Sequence, residues 1–174
     1  MNNSKKIIVI DGYDGTGKTT LSQNLATALG GKYIKPFLQS GIYIRRLHEK
    51  GYFREAHLLA SISIEESLKE EYAGNFAIID RHWLSMSVFA GEDGSEIYEP
   101  RPLTIMCDAE IKTIEKRLLE RGEELIGDNQ LSFINKYRYL ANRNNIPIIR
   151  TDTNSESESL SIALNIVTSQ YKCL

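Results

Sequence analysis

Of 174 residues, only two are cysteine, four are proline and one is tryptophan. Cys107 and Cys173 are too few for a disulfide framework or a cysteine-bound metal cluster. Cys107 lies in an apolar run that begins at Leu103, which points to a buried, reduced thiol, and Cys173, next to last, to an exposed one. Charge of either sign is also lacking in excess: 21 Lys and Arg stand against 23 Asp and Glu, for a formal net charge of −2. Broad contact with nucleic acid or an anionic membrane asks for a surplus of cations, so neither is expected as a partner. A local phosphate pocket needs only a few cations and stays open. Long hydrophobic runs are missing too. The first, Ile7 to Ile10, is too short for a signal peptide or a spanning helix. No internal repeat or long linker interrupts the chain. The expectation is one cytoplasmic domain over residues 1–174, of a size that builds its own core.

The chain does contain short apolar runs alternating with longer helical patterns. Strands are expected at Ile7–Asp11, Lys32–Phe37, Phe76–Asp80, Leu103–Asp108 and Ile146–Arg150. Helices are expected around Leu21–Leu29, Gly41–Lys50, Arg54–Tyr72, Leu84–Ala90, Ile111–Leu119, Leu131–Ala141 and Leu160–Val167, with a polar loop over Gly91–Pro102. Strands apolar on both faces, separated by helices, imply an α/β domain with a five-stranded parallel sheet covered on both sides. Ligands of such sheets bind beyond the carboxyl ends of the strands, where Asp11, Asp80 and Asp108 fall. For Asp108, a plain helix cap is an equally good reading.

One motif carries specific chemistry. Gly12-Tyr13-Asp14-Gly15-Thr16-Gly17-Lys18-Thr19 matches G-x-x-x-x-G-K-[ST], after a strand and before an amphipathic helix. Its glycines permit close approach of backbone N–H groups to phosphate, Lys18 reaches the β- and γ-phosphates, and the Thr19 hydroxyl suits Mg²⁺. The motif does not separate kinases from GTPases or ATPases. No Asn-Lys-x-Asp occurs, and Asp80 is followed by Arg81-His82-Trp83 rather than by the glycine of a switch. The chain is also short for a motor, so a small kinase fits best.

Four segments, in order, resemble the thymidylate kinases and their relatives among nucleoside and nucleotide kinases: Ile10 to Thr20, Ile79 to Gly91, Lys116 to Glu123, and Phe133 to Leu140 with Ile148 to Asp152. The resemblance implies ATP and Mg²⁺, a lid at about 117–129, and a homodimer through the helix 54–72. For ATP it implies Gly12, Asp14, Gly15, Thr16, Gly17, Lys18, Thr19, Thr20, Arg117 and Asp152. For the acceptor it implies Asp14, Phe37, Arg45 and Arg81, with Asp14 turned away from the phosphates toward a sugar hydroxyl. Thr19 and Asp80 would serve the metal. Lys18, Arg81, Arg117, Arg121, Asp14 and Asp80 would carry transfer, the two lid arginines by swinging over the phosphates.

Plainer roles compete with these. Arg81 suits a salt bridge at a helix start, Asp14 a turn, and Arg117 and Arg121 a solvated helix end; Phe37, Tyr43 and Trp83 suit the core as well as a base. The segment Leu58–Ile64 lacks the arginine that the family places there for the acceptor nucleotide. Transfer from ATP to dTMP or a related nucleotide is therefore expected alongside two alternatives: a kinase of a nucleoside or another small hydroxyl compound, and a nucleotide-binding switch with little turnover.

Overall fold

A computed structural model describes residues 6–69, 74–92, 95–123 and 126–171. Five strands form one sheet: β1 Lys6–Asp11, β2 Lys32–Ile34, β3 Phe76–Asp80, β4 Leu103–Asp108 and β5 Ile148–Arg150. Their spatial order is β2-β3-β1-β4-β5, and every pairing is parallel. Helices connect them: α1 Lys18–Ala28, α2 Gly41–Glu49, α3 Phe53–Lys69, α4 Trp83–Phe89, α5 Ile111–Glu120, α6 Asp128–Arg143 and α7 Glu156–Tyr171.

Side chains alternate across the strands, so each strand feeds two cores. Val9, Ile34, Ala77, Ile79 and Met106 pack with Ile44, Ala60, Trp83, Met86, Tyr137 and Leu140, under α2, α3, α4 and α6. Ile8, Ile10, Ile78, Ile105, Cys107 and Ile149 pack with Leu21, Leu25, Ala163 and Val167, under α1 and α7. This double cover explains why the central strands read as continuous apolar runs. Among the described residues no helix is long and apolar enough to cross a membrane.

Three of the differences from the sequence expectation have a plain local reason. β2 stops at Ile34 rather than Phe37, because Pro36 has no N–H to continue a ladder. β5 starts at Ile148 rather than Ile146, because the Ile146 amide is spent on Ala141 O (2.9 Å), at the end of α6. The loop expected over 91–102 contains a 3₁₀ turn, Ser95–Tyr98, whose Tyr98 is buried. Cys107 is a free, buried thiol as expected, while Cys173 and Tyr72 lie outside the described residues.

Candidate active site

The carboxyl ends of β1, β3 and β4 converge as anticipated, and the loop between β1 and α1 lies across them. Gly12 has φ 140, and a Cβ there would stand 2.3 Å from the carbonyl oxygen of Cys107 on β4. Only glycine lets the loop leave β1 this close to its neighbour strand. Gly17 takes φ 81 at the N-cap of α1. The Thr16 hydroxyl donates to Tyr13 O (2.6 Å), closing the loop. Lys18, Thr19 and Thr20 then begin α1, whose N-terminal amides and dipole favour an anion.

Inside this frame Lys18 is buried and Asp14 half-exposed. Lys18 Nζ lies 3.0 Å from Asp14 Oδ1, and Arg81 Nη2 lies 2.6 Å from the same oxygen. Asp14 thus bridges two cations. Burial alone would raise its carboxyl, yet Arg81 and Lys18 hold it well below the ordinary carboxylate value. Burial, with Arg81 nearby, lowers the Lys18 pKa against the pull of Asp14 and Asp80.

Arg81 follows β3 with φ 76, an uncommon conformation for a residue with a side chain, held at a cost of about 1–2 kcal/mol. Its amide donates to Ile10 O (3.1 Å). Nη1 donates to Ser85 Oγ and to Tyr137 OH, each at 3.0 Å. Beneath it, buried Asp11 accepts from the amides of Gly12 (2.8 Å), His82 (3.1 Å) and Ser85 (3.0 Å), and from Ser85 Oγ (2.6 Å). Burial raises the Asp11 pKa, while Arg81 and these bonds act to lower it. Asp11 therefore ties the start of α4 to the end of β1.

Asp80 accepts from the Thr19 hydroxyl (2.7 Å) and the Tyr33 hydroxyl (3.0 Å) through Oδ2. Its Oδ1 is buried without a hydrogen-bond partner. A buried carboxylate oxygen left over, beside a hydroxyl at the head of the phosphate-loop helix, fits a hard divalent cation bound partly through water. Thr19 and Asp80 are the residues that would hold Mg²⁺; once bound, the cation would offset charge on the β- and γ-phosphates.

A cleft of about 320 Å³ opens over the loop. It is lined by Gly15, Lys18 and Thr19 of the loop and α1, by Arg117 and Arg121, and by Thr151, Asn154 and Ser159. The lysine, the two arginines and the head of α1 give this cleft a lining suited to phosphate groups.

No protein-family model matches the chain. It is 28% identical to a provisionally named adenylate kinase of Pyrococcus furiosus, over 95% of this chain and 86% of that protein. It is also 28% identical to a provisionally named thymidylate kinase of Metallosphaera sedula, over 76% of this chain and 81% of the relative. Among solved structures, the deoxyadenosine kinase of M. mycoides with bound dCTP superposes with a TM-score of 0.65 at 20% identity, covering 94% of this chain and 99% of the other. The thymidylate kinase of Candida albicans gives a TM-score of 0.66 at 19% identity, covering 97% and 93%. The chain has the fold of the P-loop nucleoside and nucleotide kinases, and the relatives it resembles in sequence are named as kinases.

The phosphate loop, Lys18, Thr19, Asp80, Asp14 and Arg81 lie together in one cluster. Several other expectations need correction. Asp14 does not turn away from the phosphate loop's lysine; its carboxylate joins Lys18 to Arg81. Arg117 is not poised to swing: it donates to Gly15 O (3.0 Å), Thr151 Oγ1 (3.0 Å) and Thr151 O (2.9 Å). The connection from α5 to α6 is confined to residues 121–127, because both helices extend further than the apolar pattern showed. Arg121, half exposed and paired with Glu123 at 3.0 Å, is the arginine left on that segment.

Asp152 does not face the cleft. Its side chain is 4% exposed and pairs with Arg150 at 2.7 Å, while accepting the Glu110 amide (2.8 Å). Asp108 is no helix cap; Arg138 grips both its oxygens at 3.0 Å. Phe37 packs against the core. Arg45 is exposed and has no hydrogen-bond or ion-pair partner among the described residues. Trp83 is buried, with Nε1 on Thr104 Oγ1 (2.9 Å) and the Arg101 guanidinium 4.1 Å from its ring; it has no face for a base. Tyr43 is 57% exposed on α2.

Sequence reasoning placed Asp11 at the ligand end of the sheet but gave it no role, and it missed Tyr33, Ser85, Tyr137 and Thr151. Tyr33 and Tyr137 read as ordinary strand and helix positions. The Thr151 hydroxyl donates to Thr16 O (2.8 Å), a contact between residues 135 apart in the chain, for which no local pattern exists.

Proposed function

We propose that this kinase transfers the γ-phosphoryl group of ATP to dTMP or a related (deoxy)nucleoside monophosphate. The observation that carries the reading is the second cation: Arg81 reaches Asp14 at 2.6 Å from outside the phosphate loop, opposite Lys18. One cation then serves the donor phosphates and the other an acceptor phosphate. Arginine suits the second role because its planar fork matches phosphate oxygens.

The step needs positioning more than proton transfer. An acceptor phosphate oxygen attacks the γ-phosphorus, an O–P bond forms, the bond to the β-phosphate oxygen breaks, and ADP leaves. A phosphate monoester is largely dianionic near neutral pH, its second pKa being about 6, so no strong general base is required. Lys18 and the loop amides hold the donor, and Arg81 aims the acceptor. Asp14, kept ionised, must yield its place between the two cations as phosphates arrive. The Arg121–Glu123 pair is a surface contact worth about 0–1 kcal/mol, so little resists Arg121 moving over the transferred group and excluding water.

A hydroxyl acceptor, such as a nucleoside, is the second reading. The buried face of α3 carries Ala56, His57, Ala60, Ser61 and Ile64, with no arginine for a nucleotide. In that case Asp14 or Asp80 would accept the hydroxyl proton.

Incubation with ATP·Mg²⁺ and a panel of nucleosides, nucleoside monophosphates and small alcohols, following ADP release, separates the readings. Turnover with a monophosphate supports the first. Turnover with hydroxyl acceptors alone defeats it.

A further inference from the structure

Arg81 is aimed by a helix far away in sequence. Tyr137, on α6, is 1% exposed. Its hydroxyl oxygen accepts Arg81 Nη1–H at 3.0 Å and lies 2.6 Å from Ser85 Oγ. Ser85 Oγ donates to Asp11 Oδ1 at 2.6 Å. A serine hydroxyl has a single proton. Ser85 gives it to Asp11, so Tyr137 donates to Ser85, and both hydroxyl oxygens turn their remaining lone pairs to Arg81 Nη1.

Arg81 Nη2 meets Asp14. That leaves Nε–H and one Nη2–H without an acceptor among the described residues, and such a pair is able to grip a phosphate bidentately. The ring of Tyr137 is held separately, edge-on to Phe89 with centroids 6.0 Å apart. Its packing and its hydroxyl are thus separable by substitution. α6 also follows directly on the segment that carries Arg121.

We infer that Tyr137 is a positioning residue for the phosphoryl acceptor: its hydroxyl, relayed through Ser85 to Asp11, sets the plane of the Arg81 guanidinium. The inference rests on Arg81 serving the acceptor, as proposed above. Tyr137→Phe keeps the ring and removes one support. The hydroxyl is a neutral partner of a charged donor, so a loss of about tenfold in kcat/KM for the acceptor is expected. The KM for ATP should stay within about twofold.

The test measures both substrates for wild type, Tyr137→Phe, Arg81→Ala and the double variant, with melting curves as the check on folding. In the Arg81→Ala background, Tyr137→Phe should add no further loss. A merely structural role predicts equal damage to ATP use and a loss that adds in the double variant, and either result overturns the inference. If Tyr137→Phe does not fold, Ser85→Ala removes the neighbouring support and is judged by the same criteria. Arginine side-chain NMR supplies a readout that needs no acceptor: rotation of the Arg81 guanidinium should be slow in wild type and faster in Tyr137→Phe or Ser85→Ala. Unchanged rotation overturns the positioning role. Changed rotation without turnover of any monophosphate supports that role and defeats the acceptor assignment instead.

Discussion

Replacing Gly12 by alanine tests whether the phosphate loop depends on a strand-to-strand approach that no other residue permits. A Cβ at Gly12 would stand 2.3 Å from Cys107 O and 3.0 Å from Thr16 Oγ1, at φ 140. Non-glycine residues adopt such angles at a cost of about 1–2 kcal/mol. The contact adds to this, because a backbone carbonyl cannot rotate aside as a side chain does. β4 would have to move by roughly 1 Å to restore a van der Waals distance, disturbing its pairing with β1 beside the loop; overpacking of that kind costs about 1–3 kcal/mol. The sum is about 2–5 kcal/mol, or a fall of roughly 5–15 °C in Tm for a chain of this size. Gly51→Ala is the control, since Gly51 has φ 79 and nothing within 4 Å of an added Cβ. It should lose only about 1 kcal/mol. Urea unfolding followed by circular dichroism, with binding of a fluorescent ATP analogue, measures both variants. If Gly12→Ala is no less stable than Gly51→Ala and still binds nucleotide, the argument from close approach is wrong.

Other consequences are simpler to state. Lys18→Ala should lower transfer by about 10³-fold or more, leaving the circular dichroism spectrum unchanged; full activity would remove Lys18 from the reaction. Hydrogen bonds from Arg150 hold the Asp152 carboxyl down to about 2, from 3.8. Because the folded value is the lower one, the stabilisation is present above pH 3.8 and is lost as pH falls through about 2. Wild type should therefore lose stability across that window that Asp152→Asn does not, and parallel acid-unfolding curves would contradict the assignment.

Much of this molecule was legible in its sequence because the informative signals are local. β3 and β4 were read with their observed limits, since a strand buried on both faces leaves an unbroken apolar run. The phosphate loop was legible because its glycines are forced by backbone geometry. Helix limits were blurred where polar residues extend a helix beyond its buried face, as Asp128 to Gln130 do at the head of α6. The surroundings of Arg81, proposed here as the acceptor side, were the hardest to read. Arg81 was found from its place after β3, but its supports come from β1, α4 and α6, and Tyr137 falls at a position where any core residue would fit the pattern. Asp152 was counted toward ATP because Ile148 to Asp152 resembles the family's base-contacting loop, and that resemblance does not show a carboxylate paired with an arginine two residues away.

If Arg81 holds an acceptor phosphate, as proposed, the acceptor preference of Arg81→Ala must show it. The kcat/KM ratio of a nucleoside monophosphate to its parent nucleoside should strongly favour the monophosphate in wild type. It should collapse by about 10²-fold or more in Arg81→Ala, as expected for a charge-assisted bidentate contact, with the KM for ATP little changed. An Arg81→Ala kinase that keeps the wild-type ratio, or a wild type that prefers the nucleoside, would contradict the account.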